Sequence, residues 1–267
     1  MSRTALSLAA CTALWMACSG EEACAQDSTT RWNGPFGGTF SANFSLVSDY
    51  SFGGISQTNR QPAFQPGLHY RTPSVSENVE LWGYLAAWGS NIDFAATGPG
   101  IEVDILGGIK FLAFERRLSV DIGYVRYLYP GVAASYAYDY GDFVLSVGYD
   151  FDIFQLNGRV RYSPNSFGAS GNAWNKRGQI VVPLPFLSVN ENISFKVYGT
   201  LGNQYVDLPQ NYGIPNNDYW YWQAGLVVTA YGADITMAYT DTNIDYAGCG
   251  NTTNCQGRLI LGVSKSF

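Results

Sequence analysis

The sequence predicts an all-β protein, a transmembrane antiparallel β-barrel of about twelve strands with long extracellular loops and short periplasmic turns. Composition, strand periodicity and connection length each indicate this class. Aromatic residues make up 15% of the 267 residues and glycine occurs 30 times, whereas charged residues make up only 13%. Ordinary soluble domains carry roughly 25% charged residues. Few charges without long apolar runs are typical of barrels with a lipid-facing outside and a polar inside.

Apolar and polar residues alternate along most of the chain, which places them on opposite faces of strands. In "IEVDILGGIKF", for example, Ile101 and Val103 share one face while Glu102 and Asp104 share the other. No long helical period competes with this pattern. The predicted strands are 39–50, 62–72, 77–90, 101–112, 118–129, 138–150, 153–163, 175–186, 191–202, 218–230, 233–242 and 256–267.

The connections between these strands differ in length in a regular way. If the first strand rises from the periplasm, the odd-numbered connections are long, such as "SFGGISQTNRQ" and "NIDYAGCGNTTNC". The even-numbered ones are short, such as "PSVS" and "AFERR". This sorting is typical of outer-membrane barrels, with both termini on the side of the short turns. Strands of about 11 residues are also long enough to cross a bilayer at a tilt.

The chain ends in "GRLILGVSKSF", where Leu259, Leu261, Val263 and Phe267 share one face. A closed barrel pairs its last strand with its first and so has no free edge. A terminal aromatic strand also resembles the targeting signature of bacterial outer-membrane proteins, which implies recognition by the barrel-assembly machinery through Phe267. Lys265 departs from that signature, but a lysine near an interface can extend its charge to water.

The first residues, "MSRTALSLAACTALWMACSGEEACAQDSTT", are typical of a secretory signal. Arg3 supplies the positive charge, residues 5–17 the apolar segment, and Ala23-Cys24-Ala25 the cleavage site. The predicted organisation is a cleaved signal peptide at 1–25, a linker at 26–38 and an outer-membrane barrel at 39–267.

Charge and cysteine content exclude several functions. A net charge of −6 argues against nucleic acid as a partner. Beyond the signal no apolar stretch of about 18 residues could form a transmembrane helix. Cys249 and Cys255 lie in the polar loop "GCGNTTNCQG" of an exported chain, so we predict a disulfide between them. A metal site would need more ligands nearby than a chain with one histidine offers, and the sequence indicates neither a metal nor a cofactor.

The stretch "FSANFSLVSDYSFGGISQTNRQPAFQPGLHY" is similar to the opening motif of the TorF-like (Gcw_chp) family of proteobacterial outer-membrane proteins. "YSPNSFG" and the closing "GVSKSF" fit the same family, so the resemblance spans the whole mature chain. Departures are Gly53, where an arginine is common, and Pro66, where a glycine is common. The resemblance implies an outer-membrane barrel with a suspected porin role and brings no catalytic residues. The matching residues are Ser48-Asp49-Tyr50, Phe52, Gly54-Ile55-Ser56-Gln57, Pro62-Ala63, Gln65, Gly67, Tyr70 and Trp88-Gly89-Ser90-Asn91.

If the apolar faces point outward, the charged residues face the lumen. The acidic ones concentrate on the fourth to sixth strands and the basic ones on the seventh to ninth. Opposing charged walls would bias ions and orient dipolar solutes in a water-filled pore. Alternatively the charges pair inside a closed interior. The pore-lining candidates are Glu102, Asp104, Asp121, Asp150, Arg159, Arg161, Arg177, Lys196, His69 and Arg71, and the further inward charges are Asp49, Lys110, Asp142, Asp234 and Arg258.

Other motifs have less specific interpretations. His69 would need a serine or acidic partner to act in an outer-membrane enzyme, and neither Gly-x-Ser-x-Gly nor His-Glu-x-x-His occurs. The aromatic runs "DYWYWQ" and "YVRYLYP" could stack on sugars, but their position at strand ends favours an interfacial girdle. The segment "TDTNID" has carboxylates suited to Ca²⁺ without the spacing of a defined site.

The predicted function is therefore a porin-like channel for the passive diffusion of small hydrophilic solutes or ions, without catalysis. Its other expected partners are outer-membrane lipid and lipopolysaccharide. Two alternatives stay open: an outer-membrane enzyme that modifies lipid or lipopolysaccharide, and a structural or adhesive barrel with a filled interior.

Overall fold

The computed structural model describes residues 32–75, 80–94, 100–188, 190 and 192–267. Within these residues, twelve long antiparallel strands close into a barrel, and three short strands accompany them. The predicted signal peptide, 1–25, lies outside the described residues, as does the first part of the predicted linker.

The strands are numbered in chain order. They are β1 (Trp32–Asn33), β2 (Thr39–Val47), β3 (Ser51–Phe52), β4 (Ile55–Ser56), β5 (Ala63–Arg71), β6 (Glu80–Asn91), β7 (Ile101–Ala113), β8 (Leu118–Leu128), β9 (Tyr140–Asp150), β10 (Gln155–Ser163), β11 (Ala173–Pro183), β12 (Ile193–Val206), β13 (Asp218–Ala230), β14 (Ala233–Thr242) and β15 (Arg258–Ser266). The helical turns are α1 (Pro209–Tyr212) and the 3₁₀ segments Pro35–Gly37, Ala134–Tyr136, Phe167–Ala169 and Pro185–Leu187. None of the described helices is long and apolar enough to cross a membrane.

The barrel consists of β2 and β5–β15, each paired antiparallel with its neighbours along the chain. It closes through β2, which pairs with β5 on one side and with β15 on the other. Every predicted strand is present, with ends shifted by a few residues. The predicted strand 175–186 ends at Pro183, because the chain turns into the 3₁₀ segment Pro185–Leu187 directly after Leu184 has donated to Phe195 of β12.

Side chains alternate between the two faces of the wall, as the sequence predicts. Most outward residues are apolar, and Leu145 and Ile122 are examples with exposed side chains. The sequence left the direction of "ELWGYLAAW" open because it is apolar on both faces. In the structure Trp82 and Trp88 are buried inside the barrel, whereas Leu85 faces outward.

The connections are sorted by length between the two ends of the barrel. The tips of the short connections carry exposed aromatic side chains, including Phe114, Phe186 and Tyr231. Aromatic residues at this height form the girdle that membrane barrels place at the bilayer interface. The connections at one end have nine to fifteen residues and are 48–62, 92–100, 129–139, 164–172, 207–217 and 243–257. Those at the other end have two to nine residues and are 72–79, 114–117, 151–154, 184–192 and 231–232.

The last residue is held by the first barrel strand. The Phe267 N–H donates to the carbonyl of Ala42 (2.7 Å), and the Ala42 N–H donates to the carbonyl of Phe267 (3.0 Å). The Phe267 ring stacks on Phe44, with centroids 5.7 Å apart. The Lys265 ammonium lies 5.6 Å from the same ring centroid. The aromatic end of the chain therefore seals the seam of the barrel at its short-turn rim.

The outward parity can be tested by placing a charge on it. We expect Leu145→Arg, at the middle of β9, to lower the free energy of unfolding in lipid by about 2–4 kcal/mol, because the charge would enter hydrocarbon. Ile153→Arg is the control, since Ile153 is 74% exposed at a short turn, and an interfacial charge costs about 0–1 kcal/mol. Urea titration of the refolded protein in vesicles gives both values. Equal decreases in the free energy of unfolding for the two variants would contradict the assignment of Leu145 to the lipid-facing surface.

Candidate functional site

The loop between β2 and β5 folds into the barrel instead of projecting from it. Its short strands β3 and β4 form a hairpin whose turn is Gly53-Gly54. Both glycines have positive φ, 53° and 82°, which a two-residue hairpin turn of this hand requires and which glycine adopts without strain. Tyr50 and Ser51 are each only 1% exposed. We call residues 48–62 the inserted loop.

The tip of the inserted loop presses against the wall formed by β13 and β14. A Cβ added to Gly53 would lie 2.7 Å from the Tyr219 hydroxyl. One added to Gly54 would lie 2.6 Å from a methyl carbon of Thr242 and 2.8 Å from the Cβ of Tyr221. Glycine is therefore needed here for close approach as well as for backbone conformation.

A buried ion pair holds the base of the inserted loop. The Asp49 carboxylate accepts hydrogen bonds from the hydroxyls of Ser56 (2.6 Å) and Thr58 (2.8 Å) with one oxygen, and from the Arg258 Nε with the other. Arg258, at the start of β15, also donates to the carbonyl of Gly54 (2.9 Å). Both charged residues are more than nine-tenths buried. Removing one partner of such a pair leaves an uncompensated charge, which is strongly destabilising.

The inserted loop also contacts the opposite part of the wall. The Tyr50 hydroxyl donates to Glu102 on β7 (3.0 Å). The Phe52 ring meets Tyr127 of β8 edge-on, with centroids 6.2 Å apart. The Arg161 guanidinium of β10 lies 4.6 Å from the Phe52 centroid, a cation–π distance. The inserted loop therefore crosses the lumen from one side to the other.

The disulfide loop between β14 and β15 covers the inserted loop from outside. Cys249 and Cys255 form the disulfide that the sequence predicts. The Ser56 N–H donates to the carbonyl of Asn254 (2.9 Å). The Arg60 guanidinium donates to two further carbonyls of the same loop. The cross-linked loop therefore presents fixed acceptors to the inserted loop.

Aromatic rings from several long loops form a cap above the lumen. The rings of Tyr138 and Phe167 stack with centroids 4.2 Å apart, and Phe94 meets Phe167 edge-on at 5.7 Å. Tyr129 lies buried beneath them. Burial, together with the nearby carboxylate of Glu102, raises the pKa of Tyr129 well above its ordinary value, so its hydroxyl stays neutral.

The predicted pore-lining residues all lie on the inward parity of the strands. Six of them are buried and four are half-buried. Their role in lining a pore stays a prediction. They are Glu102 and Asp104 on β7, Asp121 on β8, Asp150 on β9, Arg159 and Arg161 on β10, Arg177 on β11, Lys196 on β12, and His69 and Arg71 on β5.

The acidic and basic walls adjoin each other and do not face each other across the lumen. Acidic residues line β7–β9 and basic residues line β10–β12, so the two walls meet where β9 pairs with β10. At this seam Arg161 and Asp142 form an ion pair with 3.7 Å between Nε and the carboxylate. Because the strands pair in chain order, the acidic strands and the basic strands must be neighbours, so the expectation of opposing walls is wrong.

The inserted loop packs closely against the inner wall of the barrel. A cavity lined by Phe52, Asp142, Arg161 and neighbouring side chains has a volume of about 10 Å³, which is room for roughly one water molecule. Inward residues nearer the short turns, such as Lys110 and Asp121, are half-buried. Among the inward charges, Glu102 and Arg161 beside the inserted loop are thus more deeply buried than Lys110 and Asp121.

The aromatic runs divide between the two faces, so the prediction that they form a girdle holds only for their outward residues. Trp220 and Trp222 of "DYWYWQ" face outward and are 46% and 37% exposed. Tyr219 and Tyr221 between them point into the barrel, as does Tyr127 of "YVRYLYP", and are buried. Strand alternation imposes this division on any aromatic run.

The single histidine contacts an asparagine of the neighbouring strand. The His69 Nε2 lies 2.8 Å from the amide oxygen of Asn43, and an asparagine can orient a histidine ring. In "TDTNID", the Asp245 carboxylate accepts the N–H of Gly248 (2.6 Å) as a loop cap. Within the described ranges no group of three or more His, Cys, Asp or Glu residues could hold a metal ion.

Sequence reasoning missed the inward folding of residues 48–62. The signal was present in "DYSFGGISQ", where a Gly-Gly turn lies between aromatic and apolar residues. Such residues are unusual in a loop exposed to water and are typical of a hairpin that packs.

Residues 32–267 match a family model described as "Bacterial protein of unknown function (Gcw_chp)". No curated protein matches the sequence significantly. Similar solved structures include the NanC porin, with 11% identity, 84% of this chain and 97% of that chain covered, and a TM-score of 0.47. The COG4313 outer membrane channel from Pseudomonas putida F1 has 10% identity, 87% and 96% coverage, and a TM-score of 0.46. LpxR from Salmonella typhimurium has 9% identity, 85% and 99% coverage, and a TM-score of 0.42. None of these similarities identifies a solute or an activity.

Docking of the inserted loop depends on Gly54. We expect Gly54→Val to displace the hairpin, because a β-branched residue is strained at φ 82° and would collide with Thr242. A cysteine at position 51 (Ser51→Cys), buried in the parent, should then react at least about tenfold faster with a membrane-impermeant maleimide, equivalent to roughly 1.4 kcal/mol of docking energy. Gly131→Val is the control, with φ 87° and no heavy atom within 4 Å. If both variants label equally, the contact of Gly54 with Thr242 does not hold the inserted loop in place.

Proposed function

The chain belongs to the Gcw_chp family, and we propose that this member is a porin-like channel of the outer membrane for the passive diffusion of small hydrophilic solutes or ions. The inserted loop is its constriction and holds the lumen closed in the conformation described. Outer-membrane lipid and lipopolysaccharide surround the apolar wall. The barrel-assembly machinery inserts the chain by recognising the Phe267 strand, after export by the signal peptide.

The observation that carries the proposal is a hairpin that the Asp49–Arg258 ion pair holds inside a barrel with a charged inner face. Burying charges removes their hydration, and a well-packed apolar interior is often at least as stable. A barrel that needs rigidity alone could therefore dispense with Asp49, Arg258 and the charged walls. A channel needs them, because a charged lumen is hydrated once the hairpin leaves it.

The mechanism is a sieve and involves no bond making or breaking. When the Asp49–Arg258 pair separates, water replaces the lost contacts of both charges and enters the lumen. The radius of the lumen after the hairpin has moved then excludes large solutes. The adjoining acidic and basic walls orient dipolar solutes and bias the ions that pass.

A filled structural barrel is the second candidate, and the burial of the charged residues favours it. Glu102 is 1% exposed and Arg161 is 3% exposed. In that case the charges pair permanently and the inserted loop is a fixed part of the core. Nothing in the described part of the chain favours the lipid-modifying enzyme.

Single-channel recording in planar bilayers separates the two candidates. We expect Asp49→Ala to raise the open fraction by about a hundredfold or more, since breaking a buried pair costs roughly 3–5 kcal/mol and 1.4 kcal/mol is a factor of ten. Arg258→Gln should act in the same direction. Glu115→Gln, an exposed charge in the short turn between β7 and β8, is the control and should behave as the parent.

The charge-exchanged double variant, Asp49→Arg with Arg258→Asp, should restore part of the closed fraction. Heat-modified mobility on gels verifies that each variant is a folded barrel. Folded variants that insert into the bilayer and stay electrically silent would refute the channel and favour the filled barrel.

A further inference from the structure

Three arginines form a patch on the inner wall, and one of them, Arg161, lies against Phe52 of the inserted loop. Arg159 and Arg161 lie on β10, and Arg177 lies on β11. Arg159 and Arg177 are directly opposite each other in the strand register. All three are more than nine-tenths buried. Like charges at opposed positions destabilise a sheet, so negative or acceptor groups are needed to offset the repulsion between Arg159 and Arg177.

Amide side chains continue the patch along the same face. Asn157 lies two residues before Arg159 on β10, and Gln179 lies two residues after Arg177 on β11. Each is nearer the short turns than the arginine. Register joins Gln179 to Thr200 and Thr200 to Gln223 on β13. The inward positions of β10–β13, all of which the structure describes, include no carboxylate.

One of these amides is buried without a partner. Neither the Nε2 nor the Oε1 of Gln223 makes a hydrogen bond among the described residues, although Gln223 is only 4% exposed. The Nδ2 of Asn157 lacks a partner in the same way. Buried amides are almost always hydrogen-bonded, so each exception indicates a bound molecule or water. Gln223 follows Tyr221, which the inserted loop contacts, as the next inward position of β13.

The arginines already have partners. Arg161 donates to the Tyr127 hydroxyl (2.9 Å) and faces Asp142. Arg159 and Arg177 also take part in further interactions. A guanidinium has five N–H donors in a planar fork, so one partner does not exhaust it. The patch as a whole therefore offers more donors than acceptors.

We propose that the patch formed by Arg159, Arg177, Gln179 and Gln223 is a binding subsite for a small hydroxylated carboxylate anion. The two oxygens of a carboxylate match the guanidinium fork. The Gln223 amide donates to and accepts from the hydroxyl groups of the same molecule. The proposal rests on the channel function, because the lumen is the route by which such a solute reaches the patch.

The test measures binding and conduction of gluconate separately. Isothermal titration of the detergent-solubilised protein with potassium gluconate gives binding, with glucose and potassium chloride as probes that lack the carboxylate or the hydroxyls. Reversal potentials and current block by gluconate in planar bilayers give conduction. We expect gluconate to bind, and to bind at least tenfold more tightly than glucose.

The variants assign the contacts. Arg177→Gln should reduce gluconate affinity at least tenfold and shift the reversal potential toward cations. Gln223→Leu should reduce gluconate affinity without changing chloride selectivity, which a purely electrostatic effect cannot do. Lys176→Gln removes an exposed, outward charge on the same strand and should change neither property. Heat-modified mobility verifies folding.

The outcomes distinguish this inference from the channel function. Gluconate binding without conductance supports the subsite and refutes the channel. Conductance without preferential gluconate binding, or with binding insensitive to both Arg177→Gln and Gln223→Leu, refutes the subsite and leaves the channel. Equal affinity for chloride and gluconate would reduce the patch to a general anion attractor and would also overturn the proposal.

Discussion

Backbone groups that face hydrocarbon have no water to bond with, so each must find its partner inside the protein. In this chain that requirement is met by the pairing of β2 with β15, which joins Asn43–Val47 to Gly262–Ser266. The pairing removes both edges of the sheet. The strand parity, the sorting of loops and the enclosed interior all follow from it.

Closure creates an enclosed space that must hold either water or side chains. Here the inner face is built from charged and amide groups, and a single hairpin crosses it. The hairpin contacts both the acidic side, at Glu102, and the basic side, at Arg161. The loop that narrows the interior is therefore held by the same charged walls that would act on a solute.

The fold could be predicted because strand alternation and loop length are local properties of the sequence. The twelve strands, the closure and the disulfide all follow from short segments. The inserted loop could not be predicted in the same way. The ion pair that holds it joins Asp49 to Arg258, residues 209 positions apart, and no local sequence pattern predicts such a contact. The division of Tyr219 and Trp220 between inside and outside depended on register, which the sequence leaves undetermined by one residue.

The position of the Asp49–Arg258 ion pair has a consequence for the assembly of the barrel. Asp49 is among the first residues of the barrel to be made, whereas Arg258 opens its final strand. The hairpin has no ion-pair partner until β15 is in place. The ion pair at the base of the inserted loop can therefore form only after β15 has been added, whereas the contacts of the loop with β7, β8 and β13 involve strands that are made earlier.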